Sequence, residues 1–297
     1  MWELSVAPPG STLKLFSNLD EYFSTLKACG FGAVCPDESP PAGYGNEYYD
    51  DLLKASKKSG VKINMIHLPY VVEVRSEVFL GKEFFEKTKK FIGIAERLGC
   101  KYAVVHPLQA WKYEFFRPEE KFDYDLIRSF CEEVNFEFFR KIGPYAVDAG
   151  IGLAIENVFT TDEEYREQLP SCCSDFDEWI KYIDELGEGF CACLDTGHAN
   201  LTDRDNDKIN LKAEKLGQRL KTLHIHENYA KFLKYGDFHQ FPFNGDLDLI
   251  SFAKTLKKIG YDGDFNYEVL FAKADKDVFV SQLKYLKAAT DYIYKSI

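Results

Sequence analysis

The chain has 297 residues, which is long for one ordinary domain but usual for an α/β barrel. Its formal net charge of -11 disfavours a nucleic-acid partner, because such partners are held largely by lysine and arginine contacts with phosphates. Eight cysteines without the spacing of a disulfide framework indicate reduced thiols, and no apolar run fits a signal peptide or a membrane span. We therefore expect a cytoplasmic protein with no membrane partner.

Short apolar runs alternate with longer amphipathic runs along the whole chain, a pattern typical of βα units that build a parallel sheet. The predicted strands, in chain order, span residues 3–7, 33–35, 62–67, 102–106, 152–156, 190–195, 222–226 and 265–269. The predicted helices span residues 18–29, 47–59, 82–98, 124–149, 175–186, 207–216, 247–259 and 276–294. Most of these helices are followed by a glycine, the residue best suited to end a helix in the left-handed conformation.

Eight strands, each followed by a helix, predict an α/β fold of the (β/α)8 TIM barrel type, in a single domain that spans residues 1–297. An open doubly wound sheet is the alternative, but such a sheet commonly has a glycine-rich phosphate-binding turn after its first strand. Residues 7–10, Ala-Pro-Pro-Gly, lack that pattern. No linker or low-complexity segment divides the chain, so the barrel is preferred.

Side chains that can bind metals lie at or just after the ends of six predicted strands. They are His67, His106, Glu156, Asp195, His198, His224, His226, Asp237, His239 and Glu268. The C-terminal ends of barrel strands meet in one mouth, where barrel enzymes carry their active sites. A carboxylate at the end of an apolar run is costly to bury without a cation or hydrogen-bond donors. A single histidine is more often an ordinary packed residue, but the grouping favours a metal-binding mouth.

These motifs resemble those of the xylose isomerase-like barrel superfamily. That superfamily includes sugar isomerases and epimerases, and also the endonuclease IV family of abasic-site DNA repair enzymes. The resemblance covers essentially the whole chain. Its most specific parts are residues 155–157 (Ile-Glu-Asn), 194–198 (Leu-Asp-Thr-Gly-His), 224–228 (His-Ile-His-Glu-Asn), 237–239 (Asp-Phe-His) and 267–269 (Tyr-Glu-Val).

The resemblance implies two sets of ligands. In the sugar isomerase and epimerase branch, one divalent metal is held by four residues, which match Glu156, Asp195, His224 and Glu268. His198 matches the substrate-contacting histidine of that branch. The endonuclease IV branch holds three zinc ions, and its further ligands match His67, His106, His198, Asp237 and His239. We add His226 to these further candidate metal or substrate ligands, and the ligand set alone leaves both branches open.

The expected cofactor is a divalent metal ion. Three carboxylates and one imidazole suit Mn²⁺, Mg²⁺ or Co²⁺, whereas the additional histidines favour Zn²⁺. We expect Zn²⁺ or Mn²⁺, with Mg²⁺ and Co²⁺ as alternatives, and no site for an organic cofactor.

The expected partner is a small sugar or polyol. No glycine-rich turn opens a helix after strands seven and eight, where barrels usually bind phosphate, so an unphosphorylated substrate is favoured. In the related epimerases of free ketohexoses, an arginine follows the seventh-strand histidine. The basic residues at positions 229–234 of this chain are lysines, which argues against free ketohexoses as substrates. We expect no nucleic-acid partner, and a homo-oligomer stays open.

The leading hypothesis for function is a metal-dependent sugar isomerase or epimerase. A metal bound to a sugar carbonyl and its neighbouring hydroxyl would acidify the C–H between them and stabilise an enediolate. Glu156 and Glu268 are the predicted catalytic residues, which would remove and return the proton. They have the alternative role of metal ligands alone. Two other functions stay open: an endonuclease IV-like zinc phosphodiesterase that acts on abasic DNA, and a metal barrel that binds sugar without turnover.

Overall fold

The structure is a computed structural model. It describes residues 1–36, 40, 47–71, 76–108, 124–159, 161–162, 167–168, 175–203, 205–229 and 237–297. The described part includes every predicted metal-binding side chain. Of the segment 229–234, which contains the lysines discussed above, only Tyr229 lies within the described residues.

The strands of the structure are parallel apart from one short pair. In chain order they are β1 (Leu4–Val6), β2 (Met65–His67), β3 (Tyr102–Val105), β4 (Gly152–Glu156), β5 (Thr161–Asp162), β6 (Glu167–Gln168), β7 (Phe190–Asp195), β8 (Leu220–His224) and β9 (Phe265–Tyr267). Strands β2, β3, β4, β7 and β8 form one parallel sheet in that order, and β1 pairs with β9. The antiparallel pair β5–β6 is an excursion after β4.

Backbone hydrogen bonds join these two sheets into a closed barrel. On one side, Ile225 after β8 donates to Asn266 of β9 at 2.9 Å. On the other side, residues 33–35 lie between β1 and the approach to β2, since Cys35 N donates to Val6 O at 2.9 Å and Val34 N donates to Lys62 O at 2.9 Å. The predicted second strand is therefore an extended segment and not a regular strand. It forms a single isolated β-bridge, between Ala33 and Lys62. The predicted TIM barrel is confirmed, while the domain bounds 1–297 stay a prediction.

Helices follow the strands, and most of them cover the outside of the barrel. They are α1 (Leu19–Ala28), α2 (Tyr48–Ser59), α3 (Ser76–Phe79), α4 (Lys82–Leu98), α5 (Tyr124–Asp148), α6 (Phe176–Leu186), α7 (Thr196–Asp203), α8 (Asn206–Leu216), α9 (Leu249–Lys258) and α10 (Lys276–Lys295). All eight predicted helices are present, and several begin at a side-chain cap such as Asp175, whose carboxylate accepts from Asp177 N and Glu178 N. In the described part of the chain, no helix is both long and apolar enough to cross a membrane.

Two apolar layers are separated by the barrel wall, because side chains alternate along a strand. In β4, Leu153 and Ile155 pack under the helices with the main core, whereas Ala154 and Glu156 face the bore. The bore holds a small cluster made of Cys35, Met65, Val104, Ala154, Cys191 and Cys193. The described cysteines are buried and form no disulfide, in line with the predicted reduced thiols. This apolar floor places the next inward residue of each strand at the mouth.

Candidate metal centre

The mouth of the barrel collects all ten side chains that the sequence predicts as metal or substrate ligands. They come from the ends of β2, β4, β7 and β8, from the residues just after β3, β8 and β9, from the first turn of α7, and from the loop that precedes α9. Their ligand atoms fall into overlapping groups, in each of which the atoms lie within 4.8 Å of one another. We name three of these groups inner, side and outer.

The inner group consists of Glu156, Asp195, His224 and Glu268. His224 Nδ1 lies 3.3 Å from Glu156 Oε2 and 3.2 Å from Glu268 Oε2. Three of the four residues are at most 1% exposed, whereas the Glu268 side chain is 27% exposed. Three carboxylates and one imidazole therefore converge at the floor of the mouth, with Glu268 on its open side.

The side group consists of His67, His106 and Glu156. Glu156 Oε2 lies 3.0 Å from His106 Nε2 and 3.6 Å from His67 Nε2. The His67 ring is oriented by its other nitrogen, Nδ1, which donates to Leu68 O at 2.7 Å. Glu156 thus belongs to both the inner group and the side group.

The outer group consists of His198, His226, Asp237 and His239. Asp237 Oδ2 lies 2.8 Å from His239 Nε2 and 3.3 Å from His198 Nε2, and Asp237 Oδ1 lies 3.7 Å from His226 Nε2. The His226 and His239 rings stack with centroids 3.9 Å apart. His226 Nε2 is also 3.0 Å from Asp195 Oδ1, so this group adjoins the inner group.

The charges of the inner group are mutually dependent. Burial alone would raise the pKa of Glu156, but His224 and His106 lower it well below its usual range. Burial would lower the pKa of His224, but the carboxylates of Glu268 and Glu156 raise it well above the usual value. The surrounding imidazoles therefore favour the charged form of the Glu156 carboxyl group.

Several buried atoms of the mouth fit a cation. Both carboxylate oxygens of Glu156, Asp195 Oδ2 and both ring nitrogens of His224 lack a hydrogen bond of good geometry to any described residue, although their neighbours are close. Buried polar atoms are normally satisfied, and leaving several such atoms together is costly. A divalent ion could bind one oxygen of each carboxylate and one ring nitrogen of His224, so the residues present fit a metal.

The Asp-Thr-Gly-His segment at the end of β7 has a local structural reason. Asp195 Oδ1 accepts from His198 N at 2.6 Å and so caps the first turn of α7. Gly197 is required because an added Cβ would lie 1.9 Å from Cε1 of His226. Asn157, which the sequence gives only as part of the Ile-Glu-Asn segment, links β4 to β7. Its side chain accepts from Asp195 N at 2.7 Å and donates to Asp195 O at 3.0 Å.

Three other residues near the mouth were not predicted to take part. Cys193 Sγ is close to ligand atoms of Glu156 and His224, but burial raises the pKa of this thiol well above its usual value. The Tyr70 ring packs against His67 and His106, with centroids 5.2 Å and 4.8 Å away. The Phe159 ring lies 5.0 Å from that of His198. These two aromatic rings form part of the wall of the mouth.

Removing the metal should lower thermal stability. A ligand at a hundred times its Kd stabilises the folded state by about 2.7 kcal/mol, and 1 kcal/mol shifts the Tm of a domain of this size by about 2 °C. We therefore expect chelation of the zinc- or manganese-loaded protein to lower its Tm by roughly 5 °C, measured by calorimetry. Adding the metal back should restore the Tm. Equal melting temperatures with and without chelator would contradict metal binding in the mouth.

Comparison with known proteins places this site in a family context. The model of the xylose isomerase-like TIM barrel family matches residues 23–289. An uncharacterised protein of Methanocaldococcus jannaschii is 29% identical over 134 residues, which is 45% of this chain and 42% of that protein.

Solved structures match over nearly the full length. A D-tagatose 3-epimerase-like protein superposes with a TM-score of 0.71 at 20% identity, covering 99% of this chain and 98% of the other. An L-ribulose 3-epimerase gives a TM-score of 0.70 at 15% identity, covering 100% and 95%. The 3-keto-D-glucoside 4-epimerase of E. coli gives 0.70 at 16% identity, covering 96% and 100%. At these identities the likeness establishes the fold. Together with the family match over most of the sequence, it leads to one conclusion: the chain belongs to the xylose isomerase-like TIM barrel family.

Proposed function

We propose that this protein is a divalent-metal-dependent sugar isomerase or epimerase. The observation that carries the proposal is the inner group, in which Glu156 and Glu268 approach the same nitrogen of His224 within 3.3 Å at the mouth of the barrel. The solved structures of similar fold that are named as sugar epimerases support the same reading. The substrate would be a small sugar or polyol.

The chemistry needs a Lewis acid and a base. A divalent cation held by Glu156, Asp195, His224 and Glu268 would polarise a substrate carbonyl and acidify the adjacent C–H. Glu268 is the better placed base, because its side chain is 27% exposed and faces the open part of the mouth. Glu156 is enclosed among imidazoles and is only 1% exposed, so its proposed proton transfer would be to the floor-facing side of the substrate. The two carboxylates would act on one carbon or on neighbouring carbons.

The wall of the mouth suits a sugar. Tyr70 is 44% exposed and its ring packs against His67 and His106, so an aromatic side chain lies beside the candidate ligands. Aromatic rings bind the apolar faces of pyranose and furanose rings or of extended polyols. The metal preference follows from the ligands: the oxygen-rich inner group suits Mn²⁺, Mg²⁺ or Co²⁺, and the histidine-rich side and outer groups suit Zn²⁺.

Proton exchange with solvent tests the proposal. The metal-loaded protein is incubated in D₂O with a panel of aldoses, ketoses and keto-sugars, and deuterium at each carbon is followed by NMR. We expect deuterium next to the carbonyl of at least one sugar, together with its epimer or isomer. If the protein retains its metal and binds a sugar but never exchanges a C–H proton, the barrel binds sugar without turnover and the proposed reaction is wrong.

A second candidate function is a phosphodiesterase that acts on abasic DNA. The observation that favours it is the presence of the side and outer groups, which add His67, His106, His198, His226, Asp237 and His239 to the inner ligands. Three adjacent ligand groups can hold more than one cation, and paired metals stabilise both oxygens of a phosphoryl transfer. The net charge of -11 argues against it. Incision of an abasic duplex at low and at moderate salt would reverse our ranking.

A further inference from the structure

Glu227 lies immediately after His226 and is fully buried, yet it points away from the mouth. Its backbone forms an antiparallel bridge with Gln240, since Glu227 N donates to Gln240 O at 3.0 Å and Gln240 N donates to Glu227 O at 2.7 Å. Residues 237–240 are thereby held alongside the extension of β8. That short segment carries Asp237 and His239 of the outer group.

The side chain of Glu227 is surrounded by the turn that follows. Its Oε1 accepts from Phe243 N at 2.6 Å. Burial raises the pKa of this carboxyl to about 7, and the backbone amides of Phe243, Gly245 and Leu247 lower it in part. These amides come from one stretch of five residues, so the carboxyl group faces the turn at residues 243–247.

The backbone of this loop has conformations that need support. Among non-glycine residues of the described chain, positive φ angles occur at His239, with φ 44°, and at Phe243, with φ 66°. Such angles are unfavourable for L-residues and persist where the surroundings hold them. Gly245 closes directly on the carboxyl group, since an added Cβ would lie 2.7 Å from both Cβ and Oε2 of Glu227.

Asn228 gives the same loop a second attachment. Its side chain donates to Gly197 O at 2.9 Å, and its backbone carbonyl accepts from Asp246 N at 3.2 Å. Asn200 Nδ2 donates to both Asn228 Oδ1 at 2.7 Å and Asp246 Oδ1 at 2.6 Å. Gly197 and Asn200 belong to α7, which also carries His198. The loop is thus fixed to the helix that supplies another outer ligand.

We propose that Glu227 is a positioning residue for the outer group: its carboxyl group fixes the turn at residues 243–247, and this holds Asp237 and His239 against His198. The inference rests on the metal binding proposed above and adds a residue that would not touch the metal. A ligand pair on a loop keeps its geometry only when the residues behind it are fixed. Glu227 supplies that support from the side of the loop opposite the ligands.

The test uses Glu227→Gln in the full chain. The amide replaces one oxygen acceptor by a donor that faces backbone N–H groups, so the turn should loosen. In metal-free protein, we expect amide hydrogen exchange over residues 237–247 to become at least about tenfold faster. In metal titrations followed by elemental analysis and by the visible spectrum of Co²⁺, we expect the outer equivalent to bind at least about tenfold more weakly, while the inner equivalent is unchanged.

Three further variants make the result specific. His239→Asn removes an outer ligand directly, and adding Glu227→Gln to it should weaken metal binding by less than Glu227→Gln does alone. Gly245→Ala leaves Glu227 intact but displaces the turn, and it should reproduce both effects. Glu214→Gln, at a surface carboxylate paired with Lys258, is the matched control and should change neither.

Two outcomes would overturn the inference. One is unchanged hydrogen exchange and unchanged metal binding in Glu227→Gln. The other is faster exchange with full affinity for every metal equivalent, which would make Glu227 a structural residue only. Failure of the proposed isomerase or epimerase activity is distinguishable, because neither loop exchange nor metal binding requires a sugar substrate.

Discussion

Glu156→Gln should remove bound metal from two of the three ligand groups and abolish turnover. Glu156 Oε2 lies 3.0 Å from His106 Nε2 and 3.3 Å from His224 Nδ1, so this one carboxylate serves both the inner group and the side group. A neutral amide supplies neither the charge nor the second oxygen acceptor. We expect elemental analysis to show loss of up to about two metal equivalents, and kcat to fall at least about a thousandfold.

The control for this variant should remove one carboxylate charge that lies away from the mouth and leave the fold intact. Glu214→Gln serves again, because that carboxylate pairs with Lys258 on the surface and is remote from the mouth. Its metal content and turnover should equal those of the wild-type protein. Full metal content in Glu156→Gln would refute the assignment of Glu156 as a shared ligand.

Glu268→Gln should separate metal binding from proton transfer. Glu156, Asp195 and His224 remain in the inner group, and the Glu268 side chain is the most exposed of the four. We therefore expect this variant to retain the inner metal with weakened affinity. Because a general base contributes about 10²- to 10⁴-fold to the rate, kcat and deuterium exchange at the substrate carbon should fall by that factor.

The two glutamate variants differ in their readouts, which makes the comparison informative. Glu156→Gln should lose both bound metal and turnover, whereas Glu268→Gln should lose mainly turnover. A Glu268→Gln protein that keeps both its metal and its turnover would refute the assignment of Glu268 as the base. Its carboxylate would then be a metal ligand alone.

The barrel could be predicted from sequence because two periodicities repeat along the chain. Alternation in β4 places Ala154 and Glu156 on the inner face, and the 3.6-residue pattern in segments such as α6 fixes the helices that cover the outer face. The sequence predicts a regular strand at residues 33–35, and this prediction is wrong. The segment is apolar, but it pairs by isolated hydrogen bonds between β1 and the approach to β2.

The ten candidate ligands could be predicted as a set, but their division into groups could not. Strand ends indicate which side chains reach the mouth, whereas the sharing of Glu156 depends on distances of a few ångströms between separate strands. The short helix α7 was also missed, because Thr196–Asp203 is polar and lacks an apolar stripe. Glu227 was read only as part of a motif, since the turn that surrounds it lies sixteen or more residues further along the chain.

Shared ligands make the mouth a single electrostatic unit rather than three independent pockets. Glu156 borders the inner and side groups, and Asp195 Oδ1 of the inner group lies 3.0 Å from His226 Nε2 of the outer group. A cation bound in one group would reduce the negative charge available to its neighbour, and it would fix the orientation of a carboxylate that both groups share. We therefore expect the metal occupancy of one group, and with it the proposed activity, to depend on the occupancy of its neighbour.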